Sequence, residues 1–183
     1  MFEGKDKVEA TIRPATGADA TGYNIYRRRI ADEPNNGISY SVGEYVRTVD
    51  EERERIERAI AAEDQHLLIA EVNGEIVGQC KCAGTAKIAL RHTVGLGIDV
   101  DRNYRNRGVG SALIQAMMAW VQANPRLRRV ELEVFTHNLP AIHLYLKYGF
   151  EIEGRKRCAY FKDGRYVDAY LMALVFDDEE ERS

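Results

Sequence analysis

Cysteine is scarce in this chain. Only Cys80, Cys82 and Cys158 occur among 183 residues. An odd number with no secretion signal excludes a disulfide framework and predicts free thiols in a reducing compartment, the cytoplasm. Cys80-x-Cys82 falls in an apparent strand and lacks the two-residue gap of a C-x-x-C zinc pair, so no metal site is expected. Long apolar runs are missing too. None approaches the ~20 residues that a membrane helix needs, and the opening MFEGKDKVEA has no signal-peptide core. Nor is there a basic surplus: the formal net charge is −3. A protein that tracks nucleic-acid phosphates needs an excess of Lys and Arg, so nucleic acid is not an expected partner. No stretch has linker composition and no repeat occurs. Residues 1–183 therefore read as one domain, long enough for its own core. The closing DDEEERS reads as a solvated tail.

What is present alternates between strand and helix periodicity. Val8 to Arg13 alternates and is stopped by Pro14. Asp19 is placed to cap a helix running through Tyr23 and Tyr26 toward Ile30. A loop-like segment follows, and then a charged helix over about 49–62 with Ile56 and Ile60 on one face. Asn73-Gly74 between two alternating runs predicts a β-hairpin, and Asp163-Gly164 predicts another near the end. Thr93 to Val100 reads as a strand. Val109, Leu113, Ala116, Met117, Trp120 and Val121 recur at helical spacing until Asn124-Pro125. Val130, Leu132 and Val134 alternate with Glu131, Glu133 and Phe135, which predicts a strand. Asn138 can cap a last helix that Gly149 ends. The order predicts a mixed α/β fold, a twisted sheet covered by helices.

The most informative stretch is GIDVDRNYRNRGVGSALIQAMMAW. A strand ends near Val100, a turn with arginines and glycines follows, and an amphipathic helix begins. The first turn of a helix leaves backbone N–H groups without partners, and its dipole adds partial positive charge. Gly108 and Gly110 let backbone approach a phosphate, and Arg105 and Arg107 add charge. No Walker string occurs. The third glycine position of a dinucleotide fingerprint holds Leu113. A dinucleotide site is thus the runner-up, and a plain helix start with incidental arginines is the bland reading.

R105-N-R-G-V-G110 resembles the R/Q-x-x-G-x-G/A signature of the GNAT N-acetyltransferase superfamily. N138-L-P-A-I-H-L-Y145-L-K-Y-G-F150 is similar to that family's second motif, and VELEVF lies between the two as the family requires. Two positions depart: Arg102 stands for the usual proline and Asn106 for the common glycine. The resemblance runs from about Val8 to Phe176. It implies the GNAT fold, a central twisted mixed sheet of about seven strands flanked by about four helices. It implies acetyl-CoA as cosubstrate and no metal. The cofactor would be held by Arg105, Asn106, Arg107, Gly108, Val109 and Gly110 at the pyrophosphate, by Ile98, Asp99 and Val100 along the pantetheine arm, and by Asn138. The Val100 amide would face the thioester oxygen.

Acetyl transfer needs a neutral amine, a stabilised oxyanion and a protonated leaving thiol. A phenol, with a reference pKa of about 10, is protonated at neutral pH. From spacing alone Tyr145 reads as core, but the resemblance implies that it protonates the leaving sulfur. Glu133 stands five residues before Asn138, where ribosomal-protein alanine acetyltransferases carry their base; a solvated strand carboxylate or a water-relayed proton is the competing account. The implied activity is transfer of acetyl to a primary amine of a small molecule or a protein N-terminus by direct attack. A non-catalytic acyl-CoA-binding or sensor module is the alternative. Retention of Tyr145 favours the enzyme. A homodimer is left open. The acceptor groove would involve Asp32, Glu33, Tyr40, Glu44 and Tyr45, whose carboxylates could attract an ammonium or be plain surface charge.

Overall fold

The computed structural model describes residues 6–176. In chain order the elements are strand β1 (Thr11–Pro14), helices α1 (Ala20–Ala31) and α2 (Val49–Ala61), strands β2 (Gln65–Val72), β3 (Glu75–Ala83) and β4 (Thr93–Val100), helix α3 (Val109–Ala123), strand β5 (Arg129–Phe135), helix α4 (Leu139–Lys147), and strands β6 (Glu151–Lys162) and β7 (Arg165–Val175). The seven strands form one sheet in the order β1-β2-β3-β4-β5-β7-β6. Every neighbouring pair is antiparallel except β4 and β5. Seven strands and four α-helices agree with the expected architecture.

Local chemistry explains most of the boundaries. Asn73 and Gly74 take φ of 50° and 81°, and Asp163 and Gly164 take 52° and 76°. Both turns therefore need consecutive left-handed residues, which Asn, Asp and Gly tolerate. Thr48 and Glu51 form a reciprocal capping box at the start of α2. Asn138 accepts from the Ala141 amide to start α4, and Gly149, at φ 87°, ends it.

Three local expectations need correction. The first strand begins at Thr11 rather than Val8, whose amide bonds instead to the Arg107 carbonyl. Pro14 is its last residue, tolerated because β1 is an edge. Asp19 precedes α1, but its carboxylate does not cap that helix. It accepts from the Thr16 amide and hydroxyl and from Arg13 instead. On α2 the inward stripe is Glu52, Ile56 and Ala59, while Ile60 is 60% exposed. The acidic tail beyond residue 176 lies outside the described residues.

The two sheet faces carry different helices. On one, Val94, Leu96, Val130 and Leu132 meet Leu113 and Met117 of α3 and Ile142 of α4. On the other, Leu67 and Ile69 meet Tyr23, Tyr26 and Ile30 of α1 and Ile56 of α2. Each fully buried aliphatic side chain contributes about 1.5–3 kcal/mol. The second cluster draws its sheet residues from β2 and β3 alone, which leaves the β4 and β5 side of that face for polar residues.

Candidate active site

The parallel pair does not stay paired. Register holds for Thr93 with Arg129, Val94 with Val130 and Gly95 with Glu131, and then stops, although β4 runs on to Val100 and β5 to Phe135. Beyond Gly95 the two strands therefore diverge and leave a gap. The Asp101 amide donates to the Val77 carbonyl across β3. Backbone groups alternate sides along a strand, so Asp99 also turns its amide to β3, while Ile98 and Val100 turn theirs to the gap. Ile98 and Val100 are only partly buried, and their unpaired amides are free to bond a ligand in the gap. Here the expectation of three gap-lining residues is refined to two, because Asp99 is committed elsewhere.

The gap ends at the turn before α3. Asn106 and Gly108 take φ of 61° and 92°. That explains why glycine suits position 106 and why asparagine, tolerant of this conformation, can replace it. Gly108 occupies the N-cap without a side-chain cap, and the first helical bond runs from the Ala112 amide to the Gly108 carbonyl. The amides of Val109, Gly110 and Ser111 are left facing outward from the helix start, an anion site by geometry. A Cβ on Gly110 would meet Leu144 of α4 at 3.3 Å, so this glycine also sets the helix contact.

The arginines of the turn behave differently from expectation. Arg105, expected at the pyrophosphate, is engaged with protein partners. Its guanidinium forks onto Glu33 at 2.7 and 2.8 Å, and its Nε donates to the Val100 carbonyl at 2.8 Å. It ties the end of β4 to the segment after α1. Arg107 donates its Nε to the Asp6 carbonyl at 3.0 Å.

Tyr145 lies on α4, buried at 5% exposure and packed on Phe150 with ring centroids 5.7 Å apart. Its hydroxyl has no hydrogen-bond partner among the described residues. Burial pushes its pKa up, and nearby Cys80 and Asp99 push the same way, so the phenol stays protonated. Asn138 caps α4, and its amide nitrogen presses against Gly37, where a Cβ would approach to 2.6 Å. Glu133 faces the other side of the sheet. Its oxygens accept from Lys156 at 2.8 Å and Tyr160 at 3.0 Å. A bulge between Lys156 and Tyr160, with Cys158 at φ 51°, brings both donors to it. Each carboxylate oxygen keeps a further lone pair.

Residues 30–150 match the Acetyltransferase (GNAT) family. The chain belongs to the GNAT acetyltransferase family. It is 43% identical over 108 residues to the L-amino acid N-acetyltransferase AaaT of Escherichia coli, a match covering 59% of this chain and 67% of that one. It is 38% identical over 113 residues to an N-alpha-acetyltransferase of Sulfurisphaera tokodaii, covering 57% and 66%. The chain thus spans about two thirds of the length of these relatives. A GNAT acetyltransferase from Streptococcus pneumoniae superposes with a TM-score of 0.88 at 30% identity, covering 92% of this chain and all of that one. The chain is a GNAT N-acetyltransferase.

Sequence reasoning missed the polar hub of this GNAT sheet. The Asp99 carboxylate accepts from Tyr26 at 2.5 Å, Arg27 at 2.5 Å and Gln79 at 2.8 Å, and Tyr23 donates to Gln79 at 2.8 Å. Beside it, the fully buried Glu52 accepts from Tyr45 and Arg55. The available signal was a set of charges at inward positions: Glu52 four residues before Ile56, and Asp99 and Lys81 inside apolar strands. Lys162 was missed as well. It is buried on β6 and donates to Asn36 and to the carbonyls of Ile38 and Tyr40, which pins the loop after α1. No group of three or more His, Cys, Asp or Glu placed to hold a metal occurs among the described residues. No helix there is long and apolar enough to cross a membrane.

Proposed function

We propose that the protein binds acetyl-CoA along the divergent edge of β4 and transfers its acetyl group to a primary amine, of a small molecule or a protein N-terminus, by direct attack. The observation that carries this reading is the β4/β5 gap, whose unpaired amides lead to the glycine-opened start of α3. The amides of Val109, Gly110 and Ser111, with Arg107 nearby, would receive the pyrophosphate. Ile98 and Val100 would hydrogen-bond the pantetheine arm, and Asn138 would flank it. Acetyl-CoA supplies the acetyl group as a thioester. The Val100 amide stabilises the oxyanion as it develops. Tyr145 donates a proton to the departing sulfur; its hydroxyl is protonated, has no hydrogen-bond partner among the described residues and lies close enough to Asp99 to feel that charge. Glu133 accepts the amine proton, directly or through a water.

The names of the two relatives, one for L-amino acids and one for N-alpha positions, support an α-amine as the acceptor. Buried free thiols at Cys80 and Cys82 support a reducing, cytoplasmic setting. One continuous sheet supports a single domain. Exposed Phe161 and Tyr166 on the β6/β7 hairpin offer an apolar face for a second copy. Release of coenzyme A thiol over a panel of amino acids, peptides and polyamines tests the reading. With an acceptor in hand, Tyr145→Phe should lower kcat about 10²–10⁴-fold and leave acetyl-CoA affinity intact. An unchanged kcat in the folded variant returns Tyr145 to a packing role.

A further inference from the structure

Lys81 stands on β3 between the buried Cys80 and Cys82, opposite Gly97 of β4. With Gln79 it faces α1 and α2, where it lines a cavity of about 200 Å³ together with Tyr23, Glu52 and Arg55. It is partly buried, yet its ammonium has no hydrogen bond or ion pair among the described residues. Burial, then Arg55, Arg47 and Arg27, push its pKa down, and Glu52 opposes them.

The nearby carboxylates are already engaged. Glu52 serves Tyr45 and Arg55, with Arg47 at 3.7 Å, and Asp99 serves Tyr26, Arg27 and Gln79. Four cations, Arg27, Arg47, Arg55 and Lys81, therefore share two carboxylates, in a chain whose net charge is −3. A half-buried surplus of like charge is costly unless an anion completes it. Next to Lys81 the sheet is bare: Gly97 has nothing within 4 Å of a Cβ position. From Gly97 to Val100 is three strand residues, about 10 Å. The cavity is lined from β2, β3, α1 and α2 alone, so an anion met by Lys81 beside Gly97 lies on its β4 side, where the flexible lysine stem can close part of the distance to an amine delivered at Val100.

We propose that Lys81, backed by Arg55 and Arg47, forms an anion subsite for a carboxylate of the acceptor. The acceptor is then a zwitterionic free amino acid, rather than a polyamine or a protein N-terminus. This rests on the transfer reading above. A charge-assisted hydrogen bond is worth about 1.5–3 kcal/mol, which is about 10–100-fold in KM.

The test compares amino acids with their carboxamides and their decarboxylated amines, in thiol-release assays of the wild type, Lys81→Met and Lys81→Arg. The wild type should favour the carboxylate by about 10–100-fold in kcat/KM. Lys81→Met should collapse that preference through KM, and Lys81→Arg should restore most of it. Equal use of amino acid and amide by the wild type, or a preference that survives Lys81→Met, overturns the subsite while leaving acetyl transfer standing. If no amine is acetylated, the transfer reading fails on its own. Calorimetry of the same ligands with the coenzyme A-loaded protein then still decides the subsite: carboxylate-selective binding lost in Lys81→Met supports it, and binding indifferent to the carboxylate overturns it.

Discussion

Asp99→Asn isolates one charge at the centre of the sheet, and its cost can be worked from the contacts. Asp99 Oδ2 accepts from Arg27 at 2.5 Å and Gln79 at 2.8 Å, while Oδ1 accepts from Tyr26 at 2.5 Å. An asparagine can turn its carbonyl toward Arg27 and Gln79. Its NH₂ then meets the Tyr26 hydroxyl, which can accept and redirect its own proton to the Asp99 carbonyl, 2.9 Å away. Hydrogen bonding is conserved, and only the negative charge is lost. Arg27 is 7% exposed, so its guanidinium becomes a buried charge without its counter-ion. Removing one partner of a buried pair costs about 3–5 kcal/mol. The low end applies here, because the hydrogen bonds survive and the Tyr45 ring remains 5.5 Å from the guanidinium. For a domain of this size a loss of about 3 kcal/mol lowers Tm by about 6–12 °C.

Chemical denaturation checks the loss at equilibrium. The double variant Arg27→Met/Asp99→Asn should recover much of it, because no orphan charge is left. If Asp99→Asn lies within about 0.5 kcal/mol of the wild type, as an ordinary surface substitution would, or if the two losses simply add, the buried-pair account is wrong. Because Val100 follows Asp99 directly, a correct account also predicts a fall in kcat beyond that of other equally destabilised variants, measured well below the melting range.

Two other changes probe the cofactor and proton paths. Gly108→Ala forces a Cβ into φ 92° with no steric neighbour; the backbone strain of about 1–2 kcal/mol should weaken acetyl-CoA binding about tenfold by calorimetry, and unchanged affinity would remove the turn from the phosphate site. Glu133→Gln should depress the rate most near neutral pH, where the amine is still protonated, and recover in part at high pH. A loss independent of pH would make Glu133 a purely structural partner of Lys156 and Tyr160.

The fold was largely legible because its signals are local. Asn-Gly and Asp-Gly turns, the helical stripe of Val109 to Val121 and the cap at Asn138 each act within a few residues, and each sits where the sequence puts it. The failures are also local in cause. Asp19 had two candidate duties, and the nearby Arg13, whose ion pair with it comes from the preceding strand, decided which one it took. Ile60 looked inward by spacing, but α2 turns Glu52 to the protein, because Tyr45, Arg47 and Arg55 wait there to neutralise it.

The site was legible only in its backbone half. Gly108, Gly110 and the end of β4 act through φ angles and unpaired amides, which a motif can encode in consecutive letters. Side-chain partners cannot be read that way, since they depend on which distant residue arrives. The motif that placed Arg105 at a phosphate could not show that its fork meets Glu33, 72 positions away. Glu133 looked free until the bulge at Cys158 brought Lys156 and Tyr160 onto it. The same reasoning explains why Lys81 escaped notice: a lysine in a strand is unremarked until Arg27 of α1, Arg55 of α2 and Arg47 of the loop between them converge on it. The proposed transfer chemistry therefore rests on a backbone device, whereas the proposed choice of acceptor rests on charges assembled from β3, α1, α2 and the loop between the helices. Substitutions at Lys81 or Arg55 should accordingly change which amine is used before they change whether acetyl-CoA is bound.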